Sequence, residues 1–133
     1  SGAVSEILDL SLACFEKNDS SIAAEVEPLE QVIDTLKEQM RTRHILRMQQ
    51  GHCSIEAGFI LSDLLTDLVG TSDHCSNIAV YQIQVPKDEY DTHEYLQNVK
   101  HQEHAEFDRE EMAYEKRYRL PDVAKAQTAE AGE

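Results

Sequence analysis

Tryptophan is absent from this chain of 133 residues, proline occurs three times and glycine five times. With so few turn-makers, architectures built from many short strands lack their punctuation. Cysteine is scarce too. Cys14, Cys53 and Cys75 make an odd count with no C-x-x-C spacing. That argues against a disulfide framework and a cysteine-rich zinc site, and it fits a reducing compartment. No apolar run approaches the roughly 20 residues a membrane helix needs, and no leader pattern is visible. Positive charge is the last shortage: 12 Lys and Arg stand against 26 Asp and Glu, a formal net charge of −14. The densest basic cluster, Arg41, Arg43 and Arg47 around His44, reads as a solvated helix face. A nucleic-acid partner needs a longer positive face than that, and none is expected.

What the chain has is helix-forming residues. Glu, Leu and Ala are the commonest residues and Gln is frequent, in a length that suits one domain with a core of its own. Four helical segments can be read. The first spans about 4–17, with Val4, Ile7, Leu8, Leu12 and Phe15 near one face. Asn18, Asp19, Ser20 and Ser21 then form a turn and N-cap cluster. The second spans about 21–50, with the seam Ile22, Val26, Leu29, Ile33, Leu36 and Met40 at alternating steps of four and three. Pro28 inside it should kink the helix or mark its true start.

Gly51 to Ser54 is the next break, with Ser54 as N-cap. The third helix spans about 55–84, with the seam Leu61, Leu65, Leu68, Ser72, Cys75, Ala79 and Gln82. Its small residues would let a neighbouring helix come close. The fourth spans about 91–119, before Pro121. The expected fold is all-α: an elongated antiparallel bundle of three long helices plus a shorter N-terminal one, over residues 3–120. Residues 121–133 read as a disordered tail, and Ser1-Gly2 as a cloning scar.

The chemistry-bearing pattern is acidic. Glu30 and Asp34 stand one turn apart on the same helix face. In the heptad frame they fall at e and b beside the seam. Asp73 takes the matching b position on the third helix, and Val69 takes the e position where a fourth carboxylate would stand. Hard and borderline cations take several oxygen ligands, so Glu30, Asp34 and Asp73 are the candidate metal ligands. Asp63 and Asp67 form a second pair on a different face. Acidic pairs at this spacing are also common on solvated helices.

Other chemistries fit less well. Di-iron bundles need Glu three residues before His, and none of the six histidines has it. His101 and His104 could share one ion but suit a solvated face better. His52, Cys53, His74 and Cys75 could supply four zinc ligands, yet Cys75 lies on the seam and reads as core. His44-Ile-Leu-Arg47 is a weak form of a histidine phosphotransfer motif, and it requires an exposed His44. No phosphate-binding loop, nucleophile elbow or zinc-protease motif is present, so no enzymatic activity is expected.

Residues 63–79, and most densely Ser72-Asp-His-Cys-Ser-Asn-Ile-Ala79, resemble the PhoU signature. The wording is most similar to the C-terminal cytoplasmic region of bacterial sodium/phosphate cotransporter family proteins. Glu30 to Asp34, Arg43 to Ile45, Gly51 to Ser54 and Asp91 to Leu96 resemble the same family. The resemblance implies a three-helix bundle that regulates phosphate uptake without catalysis. It implies iron or zinc as cofactor, held by acidic motifs that Glu30, Asp34 and Asp73 match. Val69 and Gly70 depart from it, standing where the family has Glu-Arg. The implied partners are membrane-embedded transporter segments, another regulatory protein or a second copy. The implied location is the cytoplasm, tethered at the inner membrane face. A free-standing phosphate-uptake regulator is the alternative within the same family.

Overall fold

A computed structural model describes residues 1–84 and 104–122. These fold into four helices: α1 Gly2–Lys17, α2 Ser20–Gln49, α3 Ile55–Gln84 and α4 His104–Tyr118. The described residues contain no strand. The expected fourth helix is found over its second part; residues 91–103 lie outside the described residues, as do 123–133 of the expected tail.

The helix ends follow from local chemistry. Asn18 closes α1 in the left-handed conformation (φ 51°) and returns its backbone N–H to Cys14 O, a role asparagine tolerates. Asp19 then caps α2, its carboxylate accepting from the Ser21 N–H at 2.9 Å. Gly51, at φ 75°, makes the turn out of α2. Ser54 caps α3 by accepting from the Ala57 N–H at 3.1 Å. Pro28 does not mark a helix start. α2 begins eight residues earlier and runs through it, with the ring fully buried. Packing of that ring offsets the backbone hydrogen bond it cannot donate.

Cross-helix bonds fix the register. Glu27 accepts from Ser76 Oγ at 2.7 Å, and with the short turn between Gln49 and Ile55 this makes α2 and α3 antiparallel. Ser11 Oγ donates to Cys75 O at 3.0 Å, and Gln82 donates to Asn18, so α1 and α3 run parallel, sixty-four residues apart in number. The α3 seam holds as read: Leu65, Ser72, Cys75, Ala79 and Gln82 are buried, with Leu61 and Leu68 half-buried. Val26, Leu29 and Ile33 form the matching strip of α2.

The expected α1 face needs correction. α1 buries Ala3, Val4, Ile7, Ser11 and Cys14, and leaves Leu8, Leu12 and Phe15 exposed, Phe15 by 67%. The reason is steric. α1 meets the small-residue stretch of α3, and a bond from Ser11 Oγ to the α3 backbone requires close approach. Small residues permit it; Leu and Phe would hold the helices apart.

α4 closes the bundle. Tyr114 is buried in the shared core, and burial first, then Glu6, Glu25 and Glu110, pushes its hydroxyl up to about 12. Arg117 donates to Glu6 at 2.5 Å, Tyr118 donates to the same carboxylate, and Arg117 lies 5.4 Å from the Tyr114 ring centre. Partial burial raises the Glu6 carboxyl, but the bonds from Tyr118 and Arg117 outweigh it and hold the group below its ordinary value.

Candidate functional site

The acidic constellation sits midway along α2 and α3. From the Glu27–Ser76 bond, one turn along each antiparallel helix brings Glu30 and Asp73 to the same level, and the next brings Asp34 level with Val69. The heptad matching read from sequence is therefore the register found. The side chains are committed differently. Asp34 is half-buried and accepts from Lys37 Nζ at 2.6 Å; this bond outweighs the opposing effect of burial and raises the Lys37 pKa. Asp73 is exposed, Glu30 half-buried, and Val69 packs against the core. Among the described residues no group of three or more His, Cys, Asp and Glu is placed to hold a metal ion. Glu30, Asp34 and Asp73 do not meet as a ligand set in this arrangement.

The zinc alternative separates further. Cys53 lies in the α2–α3 turn. Cys75 stands twenty residues into α3, roughly 30 Å along its axis. Burial pushes the Cys75 thiol up, against a smaller lowering by Ser11, the wrong direction for a thiolate ligand.

His44 is buried, with 6% exposure. Cys53 Sγ lies 3.7 Å from its Nδ1. Its Nε2 has no hydrogen-bond partner among the described residues and faces Gly58, where a Cβ would come within 2.7 Å. A phosphoryl-accepting histidine must present a ring nitrogen to a partner protein. The enclosed His44 does not, and it therefore does not fit a phosphotransfer role.

Two surface features were not foreseen. The first is a groove of about 610 Å³ between α2 and α4, lined by Val32, Leu36, Arg43, Met112, Lys116 and Arg119 among others. Arg43 crosses it to donate to Pro121 O at 2.6 Å. No sequence signal marks a groove between helices so distant in the chain. The second is the exposed stripe Leu8, Leu12 and Phe15 on α1, with Ile78 and Tyr81 exposed at the same level of α3. Its signal was visible, because the first helix has more large apolar residues than one buried face can use.

No helix of the described residues is long and apolar enough to cross a membrane. No curated protein and no solved structure matches the chain. The family model of the PhoU domain matches residues 1–81, covering α1, α2 and nearly all of α3 and leaving α4 outside the match.

Proposed function

Because the chain belongs to the PhoU domain family, we propose that it is the regulatory, non-catalytic cytosolic domain of a sodium/phosphate cotransporter. PhoU domains regulate phosphate transport rather than catalyse. The observation that carries the finer reading is the Ser72–Ala79 segment, whose wording is most similar to the transporter-attached members. Docking onto membrane-embedded segments is assigned to the stripe of Leu8, Leu12 and Phe15 with Ile78 and Tyr81. Single exposed apolar residues are ordinary, whereas a contiguous group marks an interaction surface.

Metal binding has a smaller place in this reading. An ion at Glu30 and Asp34 would require Asp34 to release Lys37 and further ligands to come from elsewhere. Stoichiometric iron or zinc is therefore no part of this reading.

The test uses the full gene. Sodium-dependent phosphate uptake is measured in cells, with and without phosphate starvation, for the native protein and for Leu12→Glu/Phe15→Glu. Uptake that persists but no longer responds to phosphate supply is the expected result. Unchanged uptake and unchanged control would remove the docking surface from the reading. A gene without membrane segments would replace the transporter domain by a free-standing regulator.

A further inference from the structure

Burying an imidazole is costly unless its ring nitrogens find partners, and those of His44 are poorly served. The ring is 6% exposed, and its Nε2 has no hydrogen-bond partner among the described residues. Nδ1 faces Cys53 Sγ at 3.7 Å, and a thiol is a weak donor and a weak acceptor. The surroundings are nevertheless built around this ring. Gly58 leaves room for it on α3, since a Cβ there would lie 2.7 Å from Nε2. Met48, one turn on along α2, lays its Sδ against the same glycine, 3.3 Å from that Cβ position. Gly51, in the left-handed conformation, turns the chain, and the turn brings half-buried Cys53 back to the ring. One imidazole and two sulfurs therefore gather where α2 passes into α3.

We propose that His44 Nδ1 and Cys53 Sγ hold one copper(I) ion at this turn, with the Met48 thioether as third donor. Bonds from the ion of about 2.0 Å to imidazole and about 2.3 Å to thiolate span the 3.7 Å separation at an angle of about 120°, that of a planar three-coordinate ion. Nδ1 is the ligating nitrogen, because the α3 backbone at Gly58 closes on Nε2. Met48 reaches the third position by rotation about its unbranched side chain. The ion takes the place of a proton. With the Nδ1 lone pair turned to Cys53, the thiol hydrogen lies between sulfur and nitrogen. On binding, the S–H bond breaks, S–Cu and N–Cu bonds form, and the proton leaves to solvent. Copper stays copper(I) throughout, so neither an oxidant nor a reductant is required.

Donor type, donor number and charge all select this ion. Thiolate and thioether are soft donors, which favour copper(I). Zinc takes four ligands in its structural sites, and no third His, Cys, Asp or Glu joins His44 and Cys53 among the described residues. Copper(I) and one thiolate sum to zero charge, which suits a site half shut from water. A divalent ion would leave a positive charge on residues 39–53, which already carry Arg41, Arg43 and Arg47 and no acid. Cys14 and Cys75 are closed to solvent, at 0% and 2% exposure, so Cys53 is the thiol an ion can reach.

The experiment titrates the reduced full chain with copper(I), without oxygen and against a coloured copper(I) chelator, with zinc titrated in parallel. One copper(I) per chain is expected, with one proton released for each, read from the dependence of the binding heat on the buffer. Cys53→Ser, which keeps a hydroxyl for the contact with His44, and His44→Gln each weaken binding by about a hundredfold or more, and Met48→Leu by about tenfold. Nitrogen-15 spectra of the wild-type imidazoles test the same contact with no substitution. Copper(I) is diamagnetic, and it should shift Nδ1 of His44 while Nε2 keeps its hydrogen. A His44 signal that copper(I) leaves unmoved, or an affinity unchanged in His44→Gln, reduces the site to a free thiol and overturns the proposal. So does a wild type that takes up no copper(I), or one that holds zinc as tightly. The spectra decide it even if His44→Gln fails to fold.

Discussion

The two ends of α2 and α3 share a register and a seam, yet they are finished differently. At the end holding Val26, Leu29, Cys75 and Ala79, four helices surround the core and these side chains are shut from water. At the other end the same helices carry Ile45, Leu46, Phe59, Ile60 and Leu64 exposed among the described residues. A continuous heptad seam therefore predicts that a helix has an apolar side. It does not predict how many neighbours cover that side at each level.

Substitutions can break this contrast, read by denaturant unfolding. The largest effect is expected for Leu29→Ala, which opens a cavity at a fully buried site and costs about 3 kcal/mol. Ile60→Ala at the other end stays within about 0.5 kcal/mol. Equal losses at the two sites would show that Ile60 is covered in solution.

Gly58→Ala is next. The new Cβ meets His44, which Cys53 and burial hold in place, and the net cost is about 1–2 kcal/mol. The same change at Gly70, where a Cβ meets nothing, stabilises by about 1 kcal/mol through helix propensity. Opposite signs in one helix would confirm that the side chains facing Gly58, His44 first and Met48 second, make glycine necessary there.

Glu6→Gln loosens α4 from the four-helix end by about 1 kcal/mol, and acid should imitate it. With its folded pKa lowered, Glu6 contributes fully above the ordinary glutamate value of 4.5. The contribution is lost as pH falls through the lowered folded value. Amide exchange of α4 across that range measures it, and Glu6→Gln should be insensitive to the same titration.

The smallest signal concerns metal. Wild type should show no stoichiometric manganese or zinc uptake by calorimetry, and neither should Glu30→Ala/Asp34→Ala. Lys37→Ala/Val69→Glu, which frees Asp34 and adds a carboxylate level with it, should show measurable binding. Stoichiometric uptake by the wild type, lost in the double alanine variant, would restore Glu30 and Asp34 as ligands.

Much of the fold was legible because it is written in local chemistry. The start of α3 at Ile55, the Ser54 cap and the α3 seam need only spacing and capping residues. The relation of Glu30 and Asp34 to Asp73 and Val69 also follows from heptad position. Commitment of the side chains was not legible: Lys37 takes Asp34 through a rotamer choice, and spacing carries no rotamer. The enclosure of His44 depends on a glycine fourteen residues away on the opposing helix. The α1 face was misread because size was taken as the sign of burial, when the contact with Ser72 and Cys75 selects for smallness.

The Glu6 clasp has a kinetic consequence. Its partners are separated by 111 and 112 residues, while the turns joining α1 to α2 and α2 to α3 are a few residues long. Short connections close early and cheaply, and distant ones wait until the chain between them is in place. Helices α1 to α3 therefore assemble first, and α4 engages a surface already formed. Unfolding should run in reverse, with α4 detaching as a separate unit at a fraction of the global free energy. Native-state exchange would show its amides opening together while those of Leu29 and Cys75 remain closed.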